Sequence, residues 1–283
     1  MTNNKKYYPW IVVALLWGVA LLNYMDRQML STMKSAMMID ITELESATNF
    51  GRLMAVFLWI YGLMSPVAGM IADRINRKWL IVGSLFVWSF VTLMMGYSTD
   101  FNQIYILRAI MGVSEALYIP AGLSLITDYH QEKTRSLAVG IHMTGLYTGQ
   151  ALGGFGATIA GAYSWETTFH WFGIIGIAYS LVYSLVLILF LKEKKDHTVA
   201  KLDSEPGPKE SPVKAAIKGM GMLFVNISFW IILLYFATSS LPGWATKNWL
   251  PTLFSENLSI DMSEAGPLST FTIAISSFIG VIA

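Results

Sequence analysis

The residues whose types and positions could do chemistry are Asp26, Arg27, Arg108 and Glu115, because all four lie inside strongly apolar runs. A charge at membrane depth costs several kcal/mol unless it is paired or hydrated. The four sum to zero when ionised. Arg108 and Glu115 stand two helical turns apart, about 10 Å of rise along one face. Low dielectric favours the neutral form of a carboxylate, and a nearby arginine favours the charged form. A carboxylate held between those effects can take up and release a proton as its partner moves. An arginine freed in that way can grip a carboxylate or phosphate with its planar fork. Two readings follow: an ion-pair network that orients the first and fourth helices, and a proton and substrate site. The second is favoured because buried ion pairs are weak sources of stability. Asp26 and Glu115 are assigned to proton coupling. Arg27 is assigned to the substrate's anionic group and Arg108 to tuning the carboxylates, roles the two arginines could exchange.

These residues need helices that cross a bilayer to position them. Hydrophobic residues make up 54% of the chain and charged residues 13%, against about 25% charged in soluble domains. So few charges cannot clothe a water-facing surface. A bilayer core needs about 20 apolar residues per helix, and eight segments qualify: 10–30, 51–72, 79–97, 102–127, 136–161, 169–191, 222–246 and 262–283. The first flows into Asn23-Tyr24-Met25-Asp26-Arg27 without a cleavage site, so it reads as a retained helix. With the N-terminus placed in the cytoplasm, that side carries Lys5, Lys6, Arg74, Arg77, Lys78, Lys133, Arg135 and the lysines between 192 and 218. The other side carries Lys34, Arg52 and Lys247. This bias predicts a cytoplasmic N-terminus and an inner or plasma membrane location. The domains expected are a six-helix bundle over 1–191, a polar cytoplasmic linker over 192–218, and a partial second bundle over 219–283. The last residues fall inside an apolar run, so the chain is expected to be truncated within that second bundle.

Other residues carry softer signals. Tyr61, Tyr118 and Gln150 are candidate cavity-lining contacts, with Tyr147 and His142 behind them, although each type is more often an interhelical contact. Gly145, Gly149 and Gly153 recur at four-residue spacing, which lets helices approach closely. The absence of cysteine excludes disulfides and thiolate metal sites. No metal or cofactor is expected beyond protons as coupling ions, and nothing points to nucleic acid. No HExxH or GxSxG pattern is present, so enzyme activity is not expected.

The segment Gly69-Met70-Ile71-Ala72-Asp73-Arg74-Ile75-Asn76-Arg77-Lys78 resembles the signature loop of the major facilitator superfamily, departing at Asn76, where glycine is usual. Arg108-x-x-x-Gly112-x-x-Glu115-Ala116 is similar to that family's second signature. The resemblance implies an all-α fold of two six-helix bundles around a central cavity, which work by rocking. The chain would hold the first bundle and about two helices of the second, and the complete protein would act as a monomer in the lipid bilayer. The resemblance makes Gly69, Asp73, Arg74, Arg77 and Lys78 a conformational latch, with Arg135 as a partner for Asp73. Asn23-Tyr24-x-Asp26-Arg27 and Trp59-x-Tyr61 resemble the anion:cation symporters, which also carry a Trp-Leu-Pro-Thr string like 249–252. Asn76 and Glu115-Ala116-x-Tyr118 resemble Spinster-type lipid carriers. The sugar-phosphate exchangers' arginine on helix seven is missing from 222–246, and Gln150 stands where the helix-five antiporter proline is expected. The expected function is proton-coupled symport of a small organic anion such as a sugar acid. A Spinster-like lysolipid carrier and a non-transporting sensor on the same fold are the alternatives.

Overall fold

The computed structural model describes residues 7–190, 218, 221, 222 and 224–282. The linker expected at 192–218 lies outside the described residues except for Lys218. The α-helices with bounds among the described residues are α1 (Tyr8–Thr32), α2 (Lys34–Asp40), α3 (Ala47–Ala72), α4 (Arg77–Met95), α5 (Phe101–Ala116), α6 (Tyr118–Tyr129), α7 (Glu132–Leu152), α8 (Gly156–Ala162), α9 (Trp165–Phe190), α10 (Ile227–Leu258) and α11 (Met262–Ile282). Among the described residues, six spans are long and apolar enough to cross a membrane: α1, α3, α4, α5 with α6, α9 and α10. Pairing α7 with α8 and adding α11 gives eight rods, in the order expected.

The predicted fifth span, 136–161, is less apolar, and one face of it packs closely on α1. Glycines on α7 and beyond ride up α1 one turn at a time. A Cβ on Gly145 would stand 2.7 Å from the Trp17 carbonyl, and one on Gly149 would strike the Leu21 backbone. A Cβ on Gly153 would stand 2.8 Å from the Met25 carbonyl, and one on Gly156 would stand 2.6 Å from the Met29 side chain. Both series rise together, so α1 and α7 run parallel with their backbones in near contact. Trp17 Nε1 donates to Thr144 Oγ1 at 3.0 Å across the same seam. α9 runs antiparallel to α4, with Gly176 against Ser89 and Gly173 against Leu93.

The predicted fourth helix is two helices. It breaks at Leu117, directly after Glu115 and Ala116. Pro120 lacks an N–H, and its ring would clash with the carbonyl four residues back, at Ala116. Ser84 Oγ donates to the Ser114 carbonyl at 2.5 Å, so a neighbouring helix satisfies backbone at the break.

The predicted seventh helix, 222–246, is corrected most. The helix runs from Ile227 to Leu258 with Pro242 and Pro251 inside it. Lys247 was counted as a loop charge, yet it lies well within the helix. Lys34, also counted as a loop charge, is buried in α2. The α10–α11 turn closes with Ser259 in the left-handed region. Asp261 Oδ1 there accepts from the Ser263 N–H at 2.8 Å. The Ser263 hydroxyl, together with that backbone bond, holds its carboxyl below the ordinary carboxylate range.

α10 and α11 join the first six spans at the end of the molecule away from the Asp73 loop. Thr270 Oγ1 donates to the Ala151 carbonyl at 3.0 Å, and Thr158 Oγ1 donates to the Ser263 carbonyl at 2.8 Å. The Lys34 ammonium stands 5.2 Å from the ring centres of both Phe50 and Trp249. α10 is exposed at nearly every position from Ile227 to Leu241. The two halves thus meet at one end and part toward the other.

The glycine seam makes a prediction. Gly149→Val should lower the melting temperature of the detergent-solubilised protein by several degrees, because overpacking costs about 1–3 kcal/mol. Gly140→Val on the same helix, where a Cβ would meet nothing within 4 Å, should leave it unchanged. Equal melting of the two variants would contradict the close α1–α7 contact.

Candidate functional site

The four charges expected from the sequence are all buried. α1 brings Asp26 and Arg27, and α5 brings Arg108 and Glu115. α5 is drawn against α3 at Gly112, where a Cβ would lie 2.8 Å from the Phe57 carbonyl. That approach places Phe57 and Tyr61 over the arginines. Arg27 Nε donates to Glu115 Oε2 at 2.6 Å, an ion pair between α1 and α5. The guanidinium of Arg27 also lies 5.0 Å from the Tyr24 ring centre, 4.8 Å from Phe57 and 4.7 Å from Tyr61. An arginine between a carboxylate and three aromatic faces is well paired electrostatically, yet its Nη2 has no hydrogen-bond partner.

The second carboxylate and second arginine are not directly bonded to each other. Asp26 accepts a hydrogen bond from Thr92 Oγ1 on α4 at 3.1 Å. Arg108 lies 4.5 Å from the Phe57 ring centre on the ring it shares with Arg27, and its Nη1 donates to Met111 Sδ at 3.3 Å. Its Nε has no hydrogen-bond partner. Among the described residues, Arg27–Glu115 is the one salt bridge in the interior. Phe57 and Thr92 were missed from the sequence. An apolar ring and a lone hydroxyl on membrane helices carry no signal until their neighbours are known.

A narrow cleft lies against this network. α1 contributes Tyr24, Arg27 and Gln28, and α7 contributes Gln150. The far wall is α10, with Trp244, Lys247 and Asn248. Gln150 is 3% exposed and its Nε2 has no hydrogen-bond partner, so an amide donor faces this space. Tyr61 reaches the site through Arg27. Tyr118 does not: it is fully buried, its hydroxyl donates to the Leu16 carbonyl at 2.9 Å, and its ring packs on Trp88 and His142. This residue, expected at the cavity, fastens α6 to α1 instead. Trp59 is 71% exposed and points away from the protein interior.

The loop expected to be a latch sits at the other end of α3. Gly69 lies in the last turn of α3, and Asp73 follows it as the C-cap. Asp73 pairs with Arg77 at 3.5 Å, and Arg77 Nη1 reaches Asp128 at the end of α6 at 2.5 Å. The pairing expected between Asp73 and Arg135 is therefore replaced by Asp73–Arg77–Asp128, and Arg135 stands exposed on α7. Asn76 accepts from the Lys78 and Trp79 backbone N–H groups, so it caps α4. That capping role suits asparagine at the position where glycine is usual. Lys78 Nζ lies 5.6 Å from the Tyr129 ring centre, and Arg74 belongs to the same exposed loop.

The family model described as Major Facilitator Superfamily matches residues 16–283. Protein spinster homolog 1 of Rattus norvegicus is 28% identical over 258 residues, covering 87% of this chain and 46% of that protein. The hexuronate transporter of Bacillus subtilis (strain 168) is 27% identical over 244 residues, covering 83% of this chain and 56% of that protein. A solved bacterial homologue of the human lysosomal transporter Spinster, in an inward-facing and unoccupied conformation, superposes with a TM-score of 0.73. It is 22% identical, and the match covers 98% of this chain and 61% of that one. The chain spans about half the length of these two curated relatives.

The interior pair makes a second prediction. Arg27→Met or Glu115→Leu alone strands a buried charge and should destabilise the intact protein by about 3–5 kcal/mol. The double replacement should lose less than the two singles together. Strict additivity of the melting shifts would mean that the 2.6 Å pair carries no coupling.

Proposed function

From a chain that belongs to the Major Facilitator Superfamily, we propose a secondary active transporter that moves a small organic anion, a sugar acid, together with protons. The observation that carries this reading is the Arg27 guanidinium. It is held by Glu115 on one side, stacked among Tyr24, Phe57 and Tyr61, and bordered by a cleft to which Gln150 also contributes. An arginine so placed can exchange one carboxylate for another. Protonation of Glu115 weakens its hold on Arg27, and a substrate carboxylate takes the fork. Release of the substrate returns Arg27 to Glu115 and expels the proton. Asp26, within electrostatic reach of Glu115 and Arg108, is the second proton-coupling residue, and Arg108 balances the carboxylates. The likeness to the hexuronate transporter supports a sugar acid as the cargo. The likeness to Spinster proteins keeps a lysolipid in the comparison.

Rocking of the two halves about the cleft supplies alternating access. The contacts of α11 with α7 and α8, and of α10 with α1, hold one end shut, and the Asp73–Arg77–Asp128 chain lies at the other. The protein is placed in the cytoplasmic membrane with its N-terminus and the Asp73 loop inside, because the basic residues crowd that side.

Uptake by the intact protein in proteoliposomes tests the reading. Glucuronate should accumulate against its gradient when an inward proton gradient is imposed, and lysophosphatidylcholine should not. Glu115→Gln should abolish gradient-driven accumulation while preserving exchange of bound substrate. Arg27→Lys should raise the glucuronate concentration needed for half-maximal uptake about tenfold or more, because the planar fork is lost. Accumulation of the lysolipid alone would transfer the assignment to the lipid carriers. Accumulation by Glu115→Gln would remove that residue from coupling.

A further inference from the structure

Lys247 is a charge that the four-residue network does not account for. It lies within α10, eleven residues before the Leu258 end. Its side chain lines the same cleft as Arg27. Among the described residues it forms no salt bridge. Its ammonium stands 5.7 Å from the Trp244 ring centre, and Gln28 Nε2 donates to its carbonyl at 3.4 Å. An ammonium inside a membrane-crossing helix is costly unless it is paired with a counter-charge or hydrated.

Two features say what that counter-charge is. Trp244, Lys247 and Asn248 follow an i, i+3, i+4 spacing, so one stripe of α10 presents an aromatic face, a cation and an amide to the cleft. Opposite them, α1 and α7 present Arg27 and the unpartnered amide of Gln150. Counted across the network and cleft, Asp26 and Glu115 face Arg27, Arg108 and Lys247. When all are ionised, a surplus of one positive charge is left.

We infer that Lys247 is a second anion-anchoring residue of the cleft, and that the ligand it fits is a hydroxylated monocarboxylate held between Arg27 and Lys247. This rests on the sugar-acid reading above and extends it to a residue and a charge state. The substrate carboxylate supplies the counter-charge that Lys247 lacks among the described side chains. Hydroxyl groups have Gln150, Gln28 and Asn248 as partners, and the C–H face of the sugar lies on Trp244. Since Arg27 belongs to the first six spans and Lys247 to α10, the bound carboxylate ties the two halves together at the cleft.

Binding of glucuronate and of its uncharged counterpart, glucuronamide, to the purified intact protein by calorimetry tests this. The wild type should prefer the acid by at least about tenfold. Lys247→Gln should bind glucuronate at least about tenfold more weakly and lose most of that preference, while binding glucuronamide as before, which certifies its fold. Lys247→Arg should keep the preference for the acid. An unchanged preference in Lys247→Gln overturns the assignment while leaving the sugar-acid reading intact. So does loss of preference in Lys247→Arg with glucuronamide still bound. Failure of the wild type to bind any sugar acid would overturn both.

Discussion

Burying charge in an apolar interior is expensive, and the Arg27–Glu115 pair is where this structure meets that cost. Each ion would lose several kcal/mol of hydration on its own. Their 2.6 Å contact offsets part of the loss and does so only if α1 and α5 hold a fixed register. Much of the neighbouring architecture sets that register. Gly112 lets α5 approach α3, so that Phe57 and Tyr61 cover the guanidinium. The glycines of α7 let it lie along α1, which brings Gln150 to the cleft. Pro120 ends α5 just beyond Glu115. A hydrophobic pair in place of these ions would pack with less expense, so the retention of charge points to a role that needs it.

That role follows from how the pair is distributed. The partners sit on different spans, with a cleft beside Arg27. An ion pair within one helix could only stiffen it, whereas a pair between helices can part when either side finds another partner. The halves of the molecule meet at one end through Thr270, Thr158 and the Lys34–Phe50–Trp249 cluster, and the signature loop is tied down at the other through Arg77. Contacts at both ends and an exchangeable charge between them are the parts a rocking carrier requires.

The charges of the site were legible in the sequence because charge is rare in apolar runs, so Asp26, Arg27, Arg108 and Glu115 stood out. The eight rods were legible for the same reason, to within a few residues at most ends. Lys247 was not. A lysine followed by asparagine, tryptophan and proline looks like the end of a span, yet the helix continues for eleven residues, with Pro251 and Thr252 buried in it. Tyr118 was misplaced because a tyrosine three residues from Glu115 cannot be assigned a face across a break, and the break at Leu117 turns it toward Leu16. Phe57 and Thr92 act through contacts with other spans, which spacing along one helix cannot reveal. The Asp73–Arg77 pairing was equally hidden among several basic residues within reach.

The central claim is that substrate takes Arg27 from Glu115 as Glu115 takes a proton. Infrared difference spectroscopy of the intact protein reads this directly, since a protonated carboxyl absorbs apart from a carboxylate. Addition of glucuronate should produce a protonated-carboxyl band that disappears in Glu115→Gln. Saturating glucuronate binding with no change in carboxyl protonation, or a band that persists in that variant, would contradict the account.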